Sequence, residues 1–263
     1  MYVTLLRQAN HFLLCLDRPE RMNGLGTTIG LELLASLERL TTELAANDLS
    51  QRLLVLTAKA VQRKDQKNIW IAGGDLKELA ALTTPTQGDE YSQLYRQICQ
   101  LLEDLPIPVL IAIDGQAIGG GVELCLAGDI RLATTTSTFS FKQVQMGLAT
   151  GYGGCRRLVE TVGRSLAQHW LLLGQTIDAT RAVHSGLVHE VLPNSEALQK
   201  RWEEIADYFS TLSYQALQQQ KKMLHAAVKL DRDRALETER ELFAELWMSQ
   251  GHRQALDRFT KKR

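Results

Sequence analysis

An apolar strand, a glycine-rich turn and the start of a helix follow one another in residues 109–133, VLIAIDGQAIGGGVELCLAGDIRLA. The run Val109–Ile113 is apolar throughout, which is typical of a strand that is buried on both faces. It leads through Gly115 to three consecutive glycines, Gly119–Gly121, at which a helix is predicted to begin. Because glycine lets the backbone approach a ligand closely, this turn is a candidate binding site at the end of a buried strand.

A second junction of the same kind lies earlier in the chain, at Trp70–Leu76, WIAGGDL. The N-terminus of a helix presents unpaired N–H groups and the positive end of the helix dipole. Two such junctions that face each other would direct two backbone N–H groups at one oxygen, which is an oxyanion hole. Taken alone, each junction is as well explained by close packing of a helix on a strand. Neither matches GxGxxG or GxxxxGKS/T, which argues against dinucleotide-binding and P-loop sites.

The rest of the chain is predicted to divide into a β/α core and a helical region. Alternating and continuous apolar runs predict strands at Tyr2–Arg7, Phe12–Leu16, Leu53–Thr57, Ile69–Ala72, Ile130–Ala133 and Thr138–Phe141. Residue spacing and polarity predict helices over about 28–46, 75–82 and 91–105 and a basic surface loop over Lys59–Asn68. From Gly153 onward the pattern is almost wholly helical apart from Leu187–Leu192. We therefore predict a core over residues 1–193 and a helical region over 194–263.

The charge balance argues against one class of partner. Thirty Lys and Arg residues against thirty Asp and Glu residues give a formal net charge of zero. A nucleic-acid-binding protein needs a basic surplus or a concentrated basic face. No apolar run approaches the roughly 20 residues that span a bilayer, and the alternating, charged N-terminus does not resemble a signal peptide. We expect neither a nucleic-acid partner nor a membrane.

The cysteines and histidines give no indication of a metal site. Six histidines are scattered, and no CxxC motif is formed by the four cysteines, Cys15, Cys99, Cys125 and Cys155. We interpret these cysteines as buried free thiols, which suits a reducing, cytoplasmic location. We expect no bound metal.

Three segments together resemble the crotonase superfamily, the enoyl-CoA hydratase/isomerase fold. They are AGGDLKEL at 72–79, GQAIGGGVELCLAGDIRLA at 115–133 and the GYGG turn at 151–154. The likeness covers essentially the whole chain, through LDRPERMN at 16–23, GLVHEV at 186–191 and an F-x-x-K ending at Phe259 and Lys262. It implies an α/β fold, a crotonase spiral of repeated β-β-α units in two roughly perpendicular sheets with a C-terminal helical trimerisation region.

The resemblance also implies an oligomer, a homotrimer or homohexamer. The C-terminal region has more apolar positions than a peripheral appendage requires, for example Leu198, Trp202, Ile205, Phe209 and Leu212. We interpret them as residues buried in subunit contacts, although their periodicity alone shows only an amphipathic helix.

The catalytic residues that the resemblance implies begin with two glycines and one glutamate. Gly74 and Gly120 match the positions whose N–H groups bind a CoA thioester carbonyl, and Glu123 matches the first catalytic glutamate of the family. Negative charge develops on the carbonyl oxygen when the α-carbon becomes an enolate, and donors already in place stabilise it. Gly151 matches a turn that holds water. Beside it, Tyr152 either donates a hydrogen bond near the α-carbon or fills space where many relatives have a small residue.

The second catalytic glutamate of the family's hydratases is absent. Its position, twenty residues after Glu123, is occupied by Gln143. A carboxamide can orient a water molecule, but it does not give or take a proton at neutral pH. This departure argues against an efficient two-glutamate hydratase.

The CoA moiety of the substrate is the only cofactor that the resemblance implies. It is expected near Ala72, Gly74 and Leu76, and Phe259 and Lys262 match an ending that often closes over the nucleotide, commonly from a neighbouring subunit. A longer basic loop than relatives usually carry either attracts the CoA phosphates or is simply solvated; its cations are Lys59, Arg63, Lys64 and Lys67.

The expected function is that of an acyl-CoA-processing enzyme, a lyase or isomerase, that stabilises a thioester enolate with a single catalytic glutamate. Decarboxylation of a methyl- or ethylmalonyl-CoA is an alternative, because loss of carbon dioxide generates the enolate without a base. The segment Leu236–Trp247, with Glu239 and Arg240, resembles the tail of the ethylmalonyl-CoA decarboxylase branch.

A catalytically weak acyl-CoA-binding protein is a further alternative. RNA binding, which one branch of the superfamily shows, is disfavoured by the zero net charge.

Overall fold

The computed structural model describes residues 1–46, 50–62 and 68–260. Its strands are β1 (Val3–Arg7), β2 (Phe12–Leu16), β3 (Leu54–Ala58), β4 (Val61–Gln62), β5 (Asn68–Ile71), β6 (Val109–Ile113), β7 (Gln116–Ile118), β8 (Ile130–Thr134), β9 (Thr138–Ser140), β10 (Thr176–Asp178) and β11 (Glu190–Leu192). Its helices are α1 (Thr27–Ala46), α2 (Leu76–Leu79), α3 (Pro85–Asp104), α4 (Gly120–Cys125), α5 (Gly154–Leu172), α6 (Ala179–His184), α7 (Ser195–Ser210), α8 (Tyr214–Lys229), α9 (Arg232–Leu246) and α10 (Gln250–Thr260). Within these residues, no helix has the length and apolar character to cross a membrane.

The strands form two sheets, between which the chain alternates. One sheet has the order β1-β2-β3-β6-β8-β11 and the other the order β10-β9-β7-β5-β4. After the antiparallel β1–β2 hairpin, the neighbours along the first sheet are parallel, and so are β5–β7 and β7–β9 in the second. Successive segments of the chain therefore add strands to the two sheets in turn, with helices between them. This arrangement confirms the predicted spiral.

The first long helices close the core on one side. α1 buries the five apolar residues whose helical spacing predicted it, namely Ile29, Leu33, Leu37, Leu40 and Leu44. It packs against α3, which begins at Pro85 rather than near Tyr91 as predicted. A capping box explains the earlier start: the Thr84 hydroxyl accepts from the Gln87 amide, and the Gln87 side chain accepts from the Thr84 amide.

Helix α7 covers the outer face of the six-stranded sheet of its own chain. Leu198 is buried in a cluster with sheet residues such as Val55 and Leu110, and Trp202, Ile205 and Phe209 pack against that cluster. Its own chain therefore buries Leu198 and partly buries Trp202, Ile205 and Phe209, and their role in subunit contacts stays a prediction. A parallel sheet needs cover on both faces, and α7 supplies it on the outer face.

Several short elements differ from the predictions. The predicted loop over Lys59–Asn68 contains β4, which pairs with β5, whereas Arg63, Lys64 and Lys67 lie outside the described residues. Strands β7 and β10 were missed because three residues are too few to establish an alternating pattern. The expectation of four buried thiols was wrong for Cys155, which is exposed, and for Cys15, which is half-buried.

Candidate active site

The two glycine-rich junctions lie side by side. Strands β5 and β7 are parallel neighbours with Ile71 opposite Ala117, so Gly74 and Gly120 each follow three residues beyond the paired residues. A Cβ atom built on Gly73, whose φ is +86°, would lie 2.7 Å from the Ile118 carbonyl oxygen and 3.7 Å from the Gly120 nitrogen. The sheet therefore brings both junctions to one edge, as their sequence pattern predicted.

The amides of Gly74 and Gly120 are free to bind a ligand. Gly120 is the first residue of α4, so its N–H has no acceptor within the helix. On either side of Gly74, Leu25 N donates to the Gly73 carbonyl (2.7 Å) and Asp75 N donates to the Leu25 carbonyl (3.0 Å). Among residues 1–46, 50–62 and 68–260, no acceptor takes the Gly74 N–H. Hydrogen bonds to Leu25 thus hold the backbone on both sides of Gly74, whose own N–H stays unpaired among the described residues.

A buried polar network supports the first junction from below. Asp75 caps α2 by accepting from the amides of Lys77 (3.0 Å) and Glu78 (3.4 Å). Arg18 lies 3.2 Å from the Asp75 carboxylate and 3.0 Å from the Glu78 carboxylate. Arg18 donates a hydrogen bond to Glu78 and forms an ion pair with Asp75, and these contacts tie the residues after Gly74 to the core.

Neither glycine leaves room for a side chain. A Cβ atom on Gly120 would lie 2.5 Å from Cε2 of Tyr152, and one on Gly74 would lie 2.5 Å from Cδ1 of Leu79 and 3.2 Å from the Tyr91 hydroxyl. Both residues have ordinary negative φ values. The requirement for glycine here is therefore close packing rather than an unusual backbone conformation.

Glu123 is buried, and each oxygen of its carboxylate accepts two hydrogen bonds. Oε1 accepts from Gln143 Nε2 (3.0 Å) and from the Gly151 amide (3.3 Å). Oε2 accepts from the amides of Tyr152 (2.8 Å) and Gly154 (3.1 Å). Burial raises the pKa of Glu123, and these hydrogen bonds oppose that rise without cancelling it. The four bonds hold the carboxylate in one orientation, and its pKa is higher than that of an ordinary glutamate.

Gln143 contributes a donor to Glu123 and an oxygen without a partner. Because the carboxylate only accepts hydrogen bonds, it fixes the orientation of the amide: Nε2 faces Glu123 and Oε1 points elsewhere. That oxygen is buried and accepts no hydrogen bond from the described residues. A buried, unpartnered carbonyl is suited to accept a hydrogen bond from a hydroxyl group or a water molecule.

Tyr152 belongs to a cluster of three tyrosines that the sequence did not predict. Its ring stacks on that of Tyr95 at 4.7 Å, and its hydroxyl lies 2.5 Å from the Tyr91 hydroxyl. Tyr91 donates its single proton to the Leu25 carbonyl (2.8 Å), so the proton of this pair is donated by Tyr152 to Tyr91. Burial raises the pKa of Tyr152 well above its usual value. Of the two roles considered for Tyr152, this geometry favours packing.

The structure therefore assembles the sequence-predicted catalytic residues at one place: Gly74, Gly120, Glu123, Gln143, Gly151 and Tyr152. Ala72 and Leu76 flank the first junction, where Leu76 is largely exposed. Lys262 and the side chain of Phe259 lie outside the described residues, so their predicted contact with the nucleotide stays a prediction. The i, i+4 spacing of Tyr91 and Tyr95 was a signal for two aromatic residues on one helix face, but nothing local indicated that they meet Tyr152.

No group of three or more His, Cys, Asp or Glu side chains that could hold a metal is present in the described part of the chain.

Comparisons with known proteins agree on one family. The model of a family described as enoyl-CoA hydratase/isomerase matches residues 7–263. An enoyl-CoA isomerase/hydratase (fer4) of Mycosarcoma maydis is 33% identical over 254 residues, which cover 95% of this chain and 89% of that protein. An ethylmalonyl-CoA decarboxylase of Xenopus laevis is 31% identical over 252 residues, 94% of this chain and 79% of that protein. The crystal structure of an enoyl-CoA hydratase from Bacillus anthracis superimposes with a TM-score of 0.89 at 26% identity, covering 100% of this chain and 97% of that one.

Proposed function

The chain belongs to the enoyl-CoA hydratase/isomerase family and has the crotonase fold, and from that membership we propose how it acts on an acyl-CoA thioester. The thioester carbonyl accepts hydrogen bonds from the Gly74 and Gly120 amides. These donors stabilise the charge that forms on the oxygen when the α-carbon becomes an enolate. The observation that carries the proposal is the pair of unpartnered amides at the ends of β5 and β7.

Glu123 is proposed as the only group that moves a proton to or from the substrate carbons. Its raised pKa brings a buried carboxylate closer to the pH at which it can both take and return a proton. In an isomerisation it removes a proton from one carbon of an enoyl thioester and returns it to another. One carboxylate suffices for this reaction, because only one proton moves at a time.

Hydration places more demands on the same carboxylate. Glu123 takes a proton from water, the water oxygen bonds to the β-carbon, and the proton then passes from Glu123 to the α-carbon of the enolate. Gln143 orients the water through its unpartnered Oε1, and the Gly151 turn lies beside it. Since Gln143 cannot transfer a proton, we expect hydration to be slower than in an enzyme with two carboxylates.

Decarboxylation of a malonyl-type thioester is the second candidate. Gln143 is neutral where the family's hydratases have a carboxylate, so one negative charge that would repel a substrate carboxylate is missing. Breaking the bond to carbon dioxide leaves the electron pair on the enolate, and a proton must then reach the α-carbon. The similarity to an ethylmalonyl-CoA decarboxylase, 31% identity over 252 residues, is a reason to test this reaction.

We propose the remaining features of the binding site and of the assembly from the family resemblance. Ala72, Gly74 and Leu76 line the path of the CoA moiety, which is the only cofactor-like group required. That Phe259 and Lys262 contact the nucleotide is carried over from the resemblance alone, since Lys262 and the Phe259 side chain lie outside the described residues. Residues 1–193 form the spiral core and 194–263 the helical region, through which the chains associate as a homotrimer or homohexamer; a cytoplasmic location stays a prediction.

The test is mass spectrometry of the protein incubated in deuterated water with crotonyl-CoA, a 3-enoyl-CoA, methylmalonyl-CoA and ethylmalonyl-CoA. Addition of water to crotonyl-CoA, or a shifted double bond with deuterium incorporated, supports the hydratase/isomerase activity. Loss of carbon dioxide with deuterium at the α-carbon supports the decarboxylase. Binding of the thioesters with no change in any of them contradicts both and identifies a catalytically weak acyl-CoA-binding protein.

A further inference from the structure

A buried ion pair lies directly behind the turn that holds Glu123. Arg157, in the first turn of α5, meets Glu103, near the end of α3, through two parallel bonds of 2.9 Å: Nε to Oε1 and Nη2 to Oε2. The side chains of Arg157 and Glu103 are 7% and 16% exposed. Paired bonds of this kind are among the strongest and most directional in proteins.

The third bond of Arg157 reaches the turn itself. Nη1 donates to the Tyr152 carbonyl over 2.6 Å, while the amide of the same residue donates to Glu123 Oε2 over 2.8 Å. Between Tyr152 and the next donor lies Gly153, with φ at +87°, where a Cβ atom would be 2.7 Å from Arg157 Nη1. The Arg157 guanidinium group thus packs against the turn at residues 151–154, whose amides donate hydrogen bonds to the Glu123 carboxylate.

We infer that Arg157, held by Glu103, is a positioning residue for Glu123: it fixes the turn that supplies three amide donors, those of Gly151, Tyr152 and Gly154. Arg157 does not touch Glu123 by hydrogen bond and acts through the backbone. The inference rests on the proposed role of Glu123 in catalysis. Tyr152 is held at its N–H and at its carbonyl, which belong to the peptide units on either side of its Cα, so neither unit can rotate without breaking one of these bonds.

In the ion pair, each partner stabilises the charged form of the other. Burial alone would raise the pKa of Glu103, but the hydrogen bond and the charge of Arg157 lower it overall. Burial would likewise lower the pKa of Arg157, and the hydrogen bond to Glu103 raises it overall. Replacing one partner would leave the other as a buried, unpaired charge, so the turn would lose its support rather than exchange one contact for another.

Loosening the turn should change the pKa of Glu123, which can be measured. The amide bonds favour the ionised form of Glu123, so weakening them favours the protonated form and raises the pKa of Glu123 further. Because catalysis starts from the ionised carboxylate, the acidic limb of the pH–rate profile moves to higher pH. A loss of stability alone would lower the amount of active enzyme without shifting that limb.

The chain offers a matched control. Arg156 also donates to Glu103 Oε1 over 2.9 Å, but its side chain is 45% exposed and no hydrogen bond of it reaches the turn. We therefore compare Arg157→Lys with Arg156→Lys. Each substitution keeps a positive charge and alters a contact with Glu103, but Arg156→Lys affects a single bond to Oε1, whereas Arg157→Lys removes the paired bonds and the donor to Tyr152.

For Arg157→Lys, we expect kcat to fall by about tenfold or more with KM changed less than about threefold, since a small misplacement of a catalytic group affects the chemical step. The apparent pKa of the acidic limb of the pH–rate profile should rise by about half a pH unit or more. Arg156→Lys should match the wild type in both. An unshifted acidic limb in Arg157→Lys, or an equal effect of the two variants, overturns the inference.

Two further measurements separate failure of this inference from failure of the proposed function. Titration of the Glu123 side-chain carboxyl carbon by 13C NMR reports its pKa even if no thioester is turned over. A pKa unchanged by Arg157→Lys contradicts the positioning role, whereas an absence of wild-type turnover contradicts only the proposed reaction. If Arg157→Lys does not fold, Glu103→Gln loosens the same fork while keeping one acceptor, and it should shift the Glu123 pKa in the same direction.

Discussion

The active-site region and the C-terminal helices differ in how far their own chain buries their side chains. Around Glu123, both carboxylate oxygens are buried and accept hydrogen bonds from their own chain, while Gln143 Oε1 and the Gly74 and Gly120 amides have no partner among the described residues. Beyond α7, large apolar side chains remain 45–61% exposed; they include Leu224, Val228, Leu236, Phe243, Trp247 and Leu256. The Glu123 carboxylate thus finds its partners within its own chain, whereas helices α8–α10 present an amphipathic surface that their own chain does not cover.

The difference has a basis in packing. α7 lies on the six-stranded sheet, while α8 contacts mainly α9, and no residue of α9 is buried. Phe243 and Trp247 instead line a groove shared with α8 and α10. If this region serves association, substitutions there should change assembly, and substitutions near Glu123 should change chemistry. The following experiments test that separation.

The largest expected effect is that of Glu123→Gln. Turnover should fall by about 10²- to 10⁴-fold, because the group that transfers the proton is lost. Thioester affinity should stay within a few fold, since the Gly74 and Gly120 amides are unchanged. Single-turnover kinetics and isothermal titration with butyryl-CoA measure the two quantities. Glu237→Gln, at an exposed carboxylate paired with Arg240, is the control, and full activity of Glu123→Gln would remove this residue from the mechanism.

Gly120→Ala should be nearly as damaging to kcat/KM. The new methyl group meets the Tyr152 ring at 2.5 Å, so the turn must shift, and loss of one oxyanion-hole donor costs about 10²- to 10³-fold. Gly88→Ala is the control, because a Cβ atom there meets nothing within 4 Å. The double variant Gly120→Ala/Tyr152→Ala relieves the contact and should recover part of the loss; no recovery would show that the clash with Tyr152 is not the cause.

Lys221→Met tests how the C-terminal region is attached to the core. Its ammonium group, buried in α8, donates to the carbonyls of Leu102 (3.3 Å) and Ile107 (3.1 Å) and to Asp129 (2.7 Å). The substitution removes the donor that these three acceptors share, although Asp129 keeps the Val109 amide (2.7 Å), and it should lower the free energy of unfolding by about 1–3 kcal/mol. Denaturant titration measures this loss, with the adjacent, exposed Lys222→Met as control. Equal stability of the two variants would contradict the role of Lys221 as an attachment.

The smallest effect on the folded chain is expected from Phe243→Ser combined with Trp247→Ser. Both side chains are more than half exposed, so the free energy of unfolding of the single chain should change by less than about 0.5 kcal/mol per site. Sedimentation velocity should nevertheless show a smaller assembly than the wild type, if these residues are covered in the proposed trimer. An unchanged assembly would place the subunit contacts elsewhere.

Much of the site was predictable because its signals are local. The glycines at 73–74 and 119–121, the buried strand Val109–Ile113 and the replacement of a family glutamate by Gln143 can all be identified from neighbouring residues or from motif resemblance. The short strand β7 was not predictable, although its parallel pairing with β5 is what brings the two junctions together. Three residues carry too little pattern, and their pairing depends on residues 46 and 47 positions away.

The sequence by itself determined where the two glycine-rich junctions lie and which helix faces are apolar, and its motif resemblance identified Glu123 as the candidate catalytic carboxylate. Only the tertiary structure decided that α7 covers its own sheet, that three tyrosines meet beside Gly120, and that Arg157 and Glu103 support the turn around Glu123. Helix spacing, capping and turn formation act between residues a few positions apart. Partners separated by 50 residues or more, such as Glu103 and Arg157, are chosen by the packing of whole elements, and no local pattern encodes that choice.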